Sequence, residues 1–165
     1  MSQVFVSGHK SPDTDSIAAA LSYSYLKRRL GMDAVAVRAG EINKESRFAL
    51  DYFDLEEPIL VTSVARKNPE DEKRKVILVD HNESKQTIDG MDDAEVLEII
   101  DHHRFGDFES ENPIFIFVRP VGCVNTVIYG LYKANHIKPS REIAGIMLSA
   151  IISDTVLFRS PTTTE

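Results

Sequence analysis

Apolar residues along the chain fall into short continuous runs separated by stretches with a helical period. Val4-Phe5-Val6 reads as a buried strand, and a helix is predicted from about Asp15, with Ala19, Tyr23, Leu26 and Leu30 on one face. Asp13 or Thr14 can cap its start, and Gly31 is the expected stop. Ala34 to Arg38 reads as a second strand, followed by Gly40 and a helix from Asn43 to about Phe53 whose first free amides Asn43 can cap. Ile59 to Val64 is a third, weaker strand, and Val76 to Asp80, Val96 to Asp101 and Ile114 to Val118 are three more. Two helices follow, from about Val121 to Asn135 and from about Ser140 to Ser153, with Pro139 between them. Strands that alternate with helices and are nearly continuously apolar predict an α/β fold: a doubly wound, mainly parallel sheet with helices on both faces.

Composition narrows the function. A chain of 165 residues that is 42% hydrophobic can bury one domain's core. One segment, residues 65–75, is dominated by charges of both signs around Pro69 and reads as an exposed loop. The single cysteine, Cys123, excludes an intramolecular disulfide and paired CxxC zinc motifs, and fits a reducing, cytoplasmic setting. No signal peptide is evident, and the longest nearly apolar run, Ile143 to Ile152, is far short of a membrane span. A formal charge of -7 argues against a nucleic-acid footprint but not against an anionic substrate held through metal ions.

Parallel sheets bind ligands at the carboxyl ends of their strands. After the first predicted strand come His9, Asp13 and Asp15, within Gly8-His-Lys-Ser-Pro-Asp-Thr-Asp-Ser16. Asp80-His81-Asn82-Glu83 ends the fourth, Asp101-His102-His103-Arg104 ends the fifth, and Asp154 ends the last helix. An isolated Asp-x-Asp is usually a helix cap, and an Asp-His-His after a strand can be a plain polar turn. All of them at one sheet edge point instead to a site for two metal ions. Imidazole and carboxylate donors without thiolate suit manganese, iron, cobalt or zinc. Asp80, on a central strand, could bridge both ions, and the chemistry such a pair serves is phosphoryl hydrolysis.

In this order, the blocks GHKSPDTDS, VDHNE, DHHR, PVGC and SAIISDT resemble the DHH phosphoesterase superfamily and, more narrowly, the manganese-dependent family II inorganic pyrophosphatases. The resemblance implies a DHH metal-binding catalytic domain over residues 1–165 that hydrolyses pyrophosphate to two phosphates. It implies two Mn2+ ions, with Co2+ or Mg2+ as alternatives, and additional Mg2+ entering with the substrate. His9, Asp13 and Asp80 are implied ligands of one ion; Asp15, Asp80, His102 and Asp154 of the other. His103 is the implied catalytic acid, working with Asp80, while Asp101 and His81 are implied to support the ligands from behind. Family members resemble two-domain clamps joined as homodimers through this domain. The substrate-gripping C-terminal domain is absent from this chain, so reduced activity is expected. Some members carry a regulatory insert near residues 65–75, which here read as a surface loop. Alternative readings are a DHH-type exopolyphosphatase, an oligonucleotide or cyclic-dinucleotide phosphodiesterase, and a non-catalytic metal-binding dimerisation module.

Overall fold

The computed structural model describes residues 3–164. Within them, strands β1 (Val4–Ser7), β2 (Ala34–Arg38), β3 (Ile59–Leu60), β4 (Lys75–Val79), β5 (Glu95–Asp101) and β6 (Phe115–Val118) form one sheet in the order β3-β2-β1-β4-β5-β6. Every pairing is parallel. The α-helices are α1 (Thr14–Arg29), α2 (Lys44–Tyr52), α3 (Val124–Ala134) and α4 (Arg141–Asp154). The chain runs outward from β1 to β3 and then returns to β4 on the other side of β1. This reversal opens a crevice beyond the carboxyl ends of β1 and β4.

The α/β expectation holds, and both faces of the sheet are covered, though by different means. Val4, Val6, Ala34, Ala36, Ile77, Val79 and Ile100 face α1 and α3, where they meet Ala19, Tyr23, Leu26, Val127, Ile128 and Tyr132. Ile17 and Ala18 of α1, Leu50 of α2 and Ile146 and Ala150 of α4 extend this layer around Cys123. On the other face Val37, Val76, Leu78 and Ile99 pack under Val64 and Ile88, with Phe108 and Ile114 beside them. Two single-turn 3-10 helices, Ser84–Gln86 and Met91–Asp93, and the loops around them form that cover. The connections there are polar, carry Gly90, Gly106 and Pro113, and lack the apolar repeat that would stabilise an α-helix.

Three boundaries differ from the sequence reading. β3 is two residues long because its partner β2 ends at Arg38; beyond Leu60, Val61 N–H donates to the Arg38 carbonyl at 2.9 Å and Ser63 makes only an isolated bridge to Asp89. Leu30 lies past the last turn of α1 and is 48% exposed, so the buried stripe stops at Leu26. α3 starts at Val124, because Val121 N–H turns back to the Arg119 carbonyl at 2.9 Å and the chain bends at residues 121–122 before the helix begins.

Candidate metal centre

On one side of the crevice the residues come from the loop after β1 and the start of α1. A Cβ on Gly8 would lie 1.9 Å from Ser16 Oγ, so only glycine lets the loop run this close to the helix. Ser16 Oγ accepts the His9 N–H at 2.9 Å and anchors that residue. Asp13 caps α1, its Oδ1 accepting the Ser16 N–H at 2.9 Å, and the same oxygen lies 3.7 Å from His9 Nε2. Asp15 turns inward and is wholly buried. Its carboxylate meets the start of α3, accepting from Val124 N–H at 2.7 Å, Asn125 N–H at 3.3 Å, Asn125 Nδ2 at 2.6 Å and the Cys123 thiol at 2.8 Å.

Asp80 follows β4 with φ at 64°, a left-handed conformation that disfavours most L-residues by about 1–2 kcal/mol and that Asp tolerates better than most. Its N–H donates to the Ile100 carbonyl at 2.9 Å, which ties this turn to β5. The side chain is 2% exposed, and neither carboxylate oxygen has a hydrogen-bond partner among the described residues. Oδ2 lies 3.3 Å from His9 Nε2, whereas Oδ1 lies 3.2 Å from His102 Nε2. These separations are short, but the imidazole N–H directions miss the oxygens, so they are ionic contacts rather than hydrogen bonds. His102 Nδ1 is 2.8 Å from the Val121 carbonyl, leaving Nε2 free; that atom is also 3.6 Å from Asp15 Oδ2.

Asp101 is fully engaged. Oδ1 accepts the His102 N–H at 2.7 Å and the His103 N–H at 3.2 Å and lies 2.9 Å from His103 Nδ1; Oδ2 accepts Asn82 Nδ2 at 2.5 Å. Both oxygens are spoken for, which suits orientation of the two histidines rather than coordination. His103 is 53% exposed, and Asp101 raises its pKa against the opposing effect of burial. His81 is buried, its Nδ1 2.9 Å from the Val79 carbonyl and its ring edge-on to His9; burial lowers its pKa.

The crevice concentrates negative charge. Burial pulls His9 down, but Asp13 and Asp80 outweigh it and carry the imidazole up to about 10. Burial likewise opposes His102, yet Asp80, the Val121 carbonyl and Asp15 bring it up to about 9. Burial and the Asp80 charge raise the Asp15 pKa, and burial next to Asp15 raises that of Asp154. Carboxylates confined this way draw positive charge between them, here the two imidazoles, whose protons a bound cation would displace.

The donors fit divalent ions on two counts. Metal–ligand bonds of about 2.0–2.2 Å place neighbouring donors on one ion roughly 3–3.5 Å apart. The contacts of Asp80 Oδ2 with His9, and of Asp80 Oδ1 with His102, fall in that range at 3.3 and 3.2 Å. The orphaned Asp80 oxygens and His102 Nε2 are the buried polar atoms such ions would satisfy. Candidate ligand atoms converge in three groups: His9, Asp13 and Asp80; Asp80, Asp101, His102 and His103; and Asp15, Cys123 and Asp154. Asp80 belongs to the first two, whereas Asp154 meets the others through Asp15. The Cys123 thiol donates to Asp15 and burial pushes its pKa up, so it stays protonated and is a poor ligand.

Sequence reasoning missed two residues. Asn82 links Asp101 to the Arg104 carbonyl and the Gly106 N–H, pinning the loop after β5. Asn125 reaches Asp15 from 110 residues away. Neither asparagine carries a local signal: Asn82 stands within VDHNE, but nothing in that spacing shows what its amide holds.

A family model described as "DHH family, N-terminal domain" matches residues 3–151. A curated relative from Bacillus licheniformis, named as a manganese-dependent inorganic pyrophosphatase, is 52% identical over 165 residues, which are 100% of this chain and 52% of the relative. One from Exiguobacterium sp. carrying the same name is 50% identical over the same shares. The chain thus spans about half the length of the curated relatives it matches. A solved structure from Methanococcus jannaschii, described as a family II inorganic pyrophosphatase, superposes with a TM-score of 0.87 at 41% identity, covering 99% of this chain and 52% of that one. An exopolyphosphatase-related protein from Bacteroides fragilis shares the fold at a TM-score of 0.69 and 19% identity, covering 99% of this chain and 49% of that one.

Proposed function

The chain belongs to the DHH family, and on that premise we propose that its crevice is the two-cation catalytic half of a manganese-dependent pyrophosphatase, hydrolysing inorganic pyrophosphate to two phosphates. The observation that carries this reading is Asp80: a buried carboxylate without a hydrogen bond among the described residues, each oxygen facing a different histidine. His9, Asp13 and Asp80 would hold one cation, and Asp15, Asp80, His102 and Asp154 the other. Mn2+ accords with the donor set and with the names of the relatives, Co2+ or Mg2+ could replace it, and further Mg2+ would arrive with the substrate. Bound there, two such ions would supply Lewis acidity and neutralise charge on the phosphoryl oxygens.

The chain's own groups supply the rest. Asp101 holds His103 Nδ1 and favours its protonated form, so His103 can give a proton to the phosphate that leaves when the bridging P–O bond breaks. The half of the relatives that this chain does not span would grip the substrate; alone, this domain would bind cations and turn over slowly. The β6 edge exposes Phe115 and Ile116 and offers a second copy a strand to pair with, supporting a homodimer. Size-exclusion with light scattering on Ile116→Lys tests that pairing: a mass unchanged from the parent dimer overturns it. A buried, unpaired thiol accords with a cytoplasmic home, and among the described residues no helix is long and apolar enough to cross a membrane.

Phosphate release from pyrophosphate, tripolyphosphate and a dinucleotide, measured on a full-length version with Mn2+, tests the reaction. Preference for pyrophosphate is expected. Activity on the dinucleotide alone overturns the reading, and preference for tripolyphosphate makes the protein an exopolyphosphatase.

A further inference from the structure

Among the crevice acids, Asp15 is built into another helix. The N-cap position of α3 is Cys123, whose side chain makes no capping bond, so the free amides at the start of this helix need an acceptor from elsewhere. Asp15 supplies it, and the partial positive charge of the α3 N-terminus falls on its carboxylate. Asp13, by contrast, is 52% exposed and is held by one amide of its own helix.

We infer that Asn125 and Cys123 are positioning residues that present Asp15 to its cation through one oxygen, Oδ2. This rests on the two-cation reading above. Oδ1 takes the Asn125 side-chain amide at 2.6 Å, the Cys123 thiol at 2.8 Å and the Asn125 N–H at 3.3 Å, which exhausts its lone pairs. Among the described residues Oδ2 takes one donor, the Val124 N–H, and it keeps room for a cation in the space that His102 Nε2, 3.6 Å away, and the neighbouring Asp154 carboxylate also face.

Asn125 cannot relax from this task by turning its amide. Its Oδ1 accepts from Ser22 Oγ at 2.9 Å, and its second Nδ2 hydrogen goes to the Asp15 carbonyl at 3.2 Å. Ser22 is fixed in turn by Tyr132, whose hydroxyl donates to the Ser22 carbonyl at 2.6 Å. Asn125 and Ser22 are wholly buried, as is Tyr132, so water cannot substitute for a lost donor at low cost. A flip of the amide would set its oxygen against both the Asp15 carboxylate and the Asp15 carbonyl, replacing two hydrogen bonds with repulsion.

The test titrates chelator-treated protein with Co2+, followed by calorimetry and by visible absorption, which reports the ligand field. The parent is expected to show two binding events. Asn125→Leu, similar in size but without donors, should weaken one event roughly 10–100-fold and leave the other within about threefold, as losses behind a ligand do. Added to Asp15→Asn, it should weaken binding no further, because it acts through Asp15. Cys123→Ser keeps a donor and should bind as the parent does, whereas Cys123→Ala should weaken the same event as Asn125→Leu. Equal weakening of both events, an additive loss on Asp15→Asn, or parental binding by Asn125→Leu overturns the inference. Where thermal unfolding shows that Asn125→Leu does not fold, the Cys123 pair decides: parental binding by Cys123→Ala overturns it. Failure of the parent to bind two ions overturns the two-cation reading itself.

Discussion

His103 Nδ1 lies 2.9 Å from an Asp101 carboxylate that also receives the backbone N–H groups of His102 and His103, so one buried acid both shapes the turn and sets the charge of an exposed imidazole. Asp101 raises the His103 pKa. With Asp101 ionised, protonation of His103 contributes stability that is complete below the unfolded histidine pKa and is lost as pH rises through the folded one; in acid the pair is lost again as pH falls through the lowered Asp101 pKa. Asp101→Asn should lower the His103 pKa in an NMR titration, and in a full-length version move the alkaline limb of hydrolysis to lower pH. An unmoved His103 titration means Asp101 does not hold that proton.

Asp80 has two separable properties, its charge and its backbone. Asn tolerates the left-handed region about as well as Asp, so Asp80→Asn should fold near parental stability while lowering the number of cations bound per chain. Asp80→Ala should lose the cation as well and cost about a further 1 kcal/mol for the same φ. Calorimetry with Mn2+ and urea denaturation of the chelator-treated proteins read the two effects. Two ions bound by Asp80→Asn would exclude a bridging role.

Cation uptake should release protons. His9 is raised to about 10 and His102 to about 9, so both imidazoles carry a proton at neutral pH, and a ligand nitrogen must give its proton up. Affinity should therefore increase as pH rises from 7 towards roughly 9. Calorimetry in two buffers of different ionisation enthalpy measures the protons released; equal heats in both would show that binding displaces none.

Gly40 controls the loop that carries His9. A Cβ there would stand 2.0 Å from the Lys10 carbonyl oxygen, a backbone atom that cannot swing aside. Lys10 is held from the other side, its N–H donating to the Gln86 carbonyl at 2.8 Å. Gly40→Ala should destabilise the fold by about 1–3 kcal/mol, as overpacking does, and weaken cation binding. Denaturant unfolding and calorimetry check both, and parental values would mean that the loop yields freely.

Much of this was legible locally. The alternation of apolar runs and helical periods located β1, β2, β4, β5 and β6 to within a residue or two, because buried parallel strands and amphipathic helices impose different spacings on apolar residues. β3 is shorter than its apolar run predicts because its end is set by where β2 stops. The cover of the second face was also beyond reach, since loops and 3-10 turns have no period to read. For the site, strand ends flagged His9, Asp13, Asp15, Asp80, Asp101, His102 and His103, and the structure gathers these residues at one crevice.

By itself, then, the sequence determined which elements form and which chemical groups stand at their ends, because local spacing and side-chain chemistry are written residue by residue. The tertiary structure decided how those groups are shared. It left both Asp80 oxygens without donors, closed both Asp101 oxygens with them, and spent one Asp15 oxygen on the start of α3. The last of these depends on segments 109 and 110 residues apart meeting within hydrogen-bond distance. Close packing of the helices on the sheet sets that meeting, and no spacing along the chain encodes it.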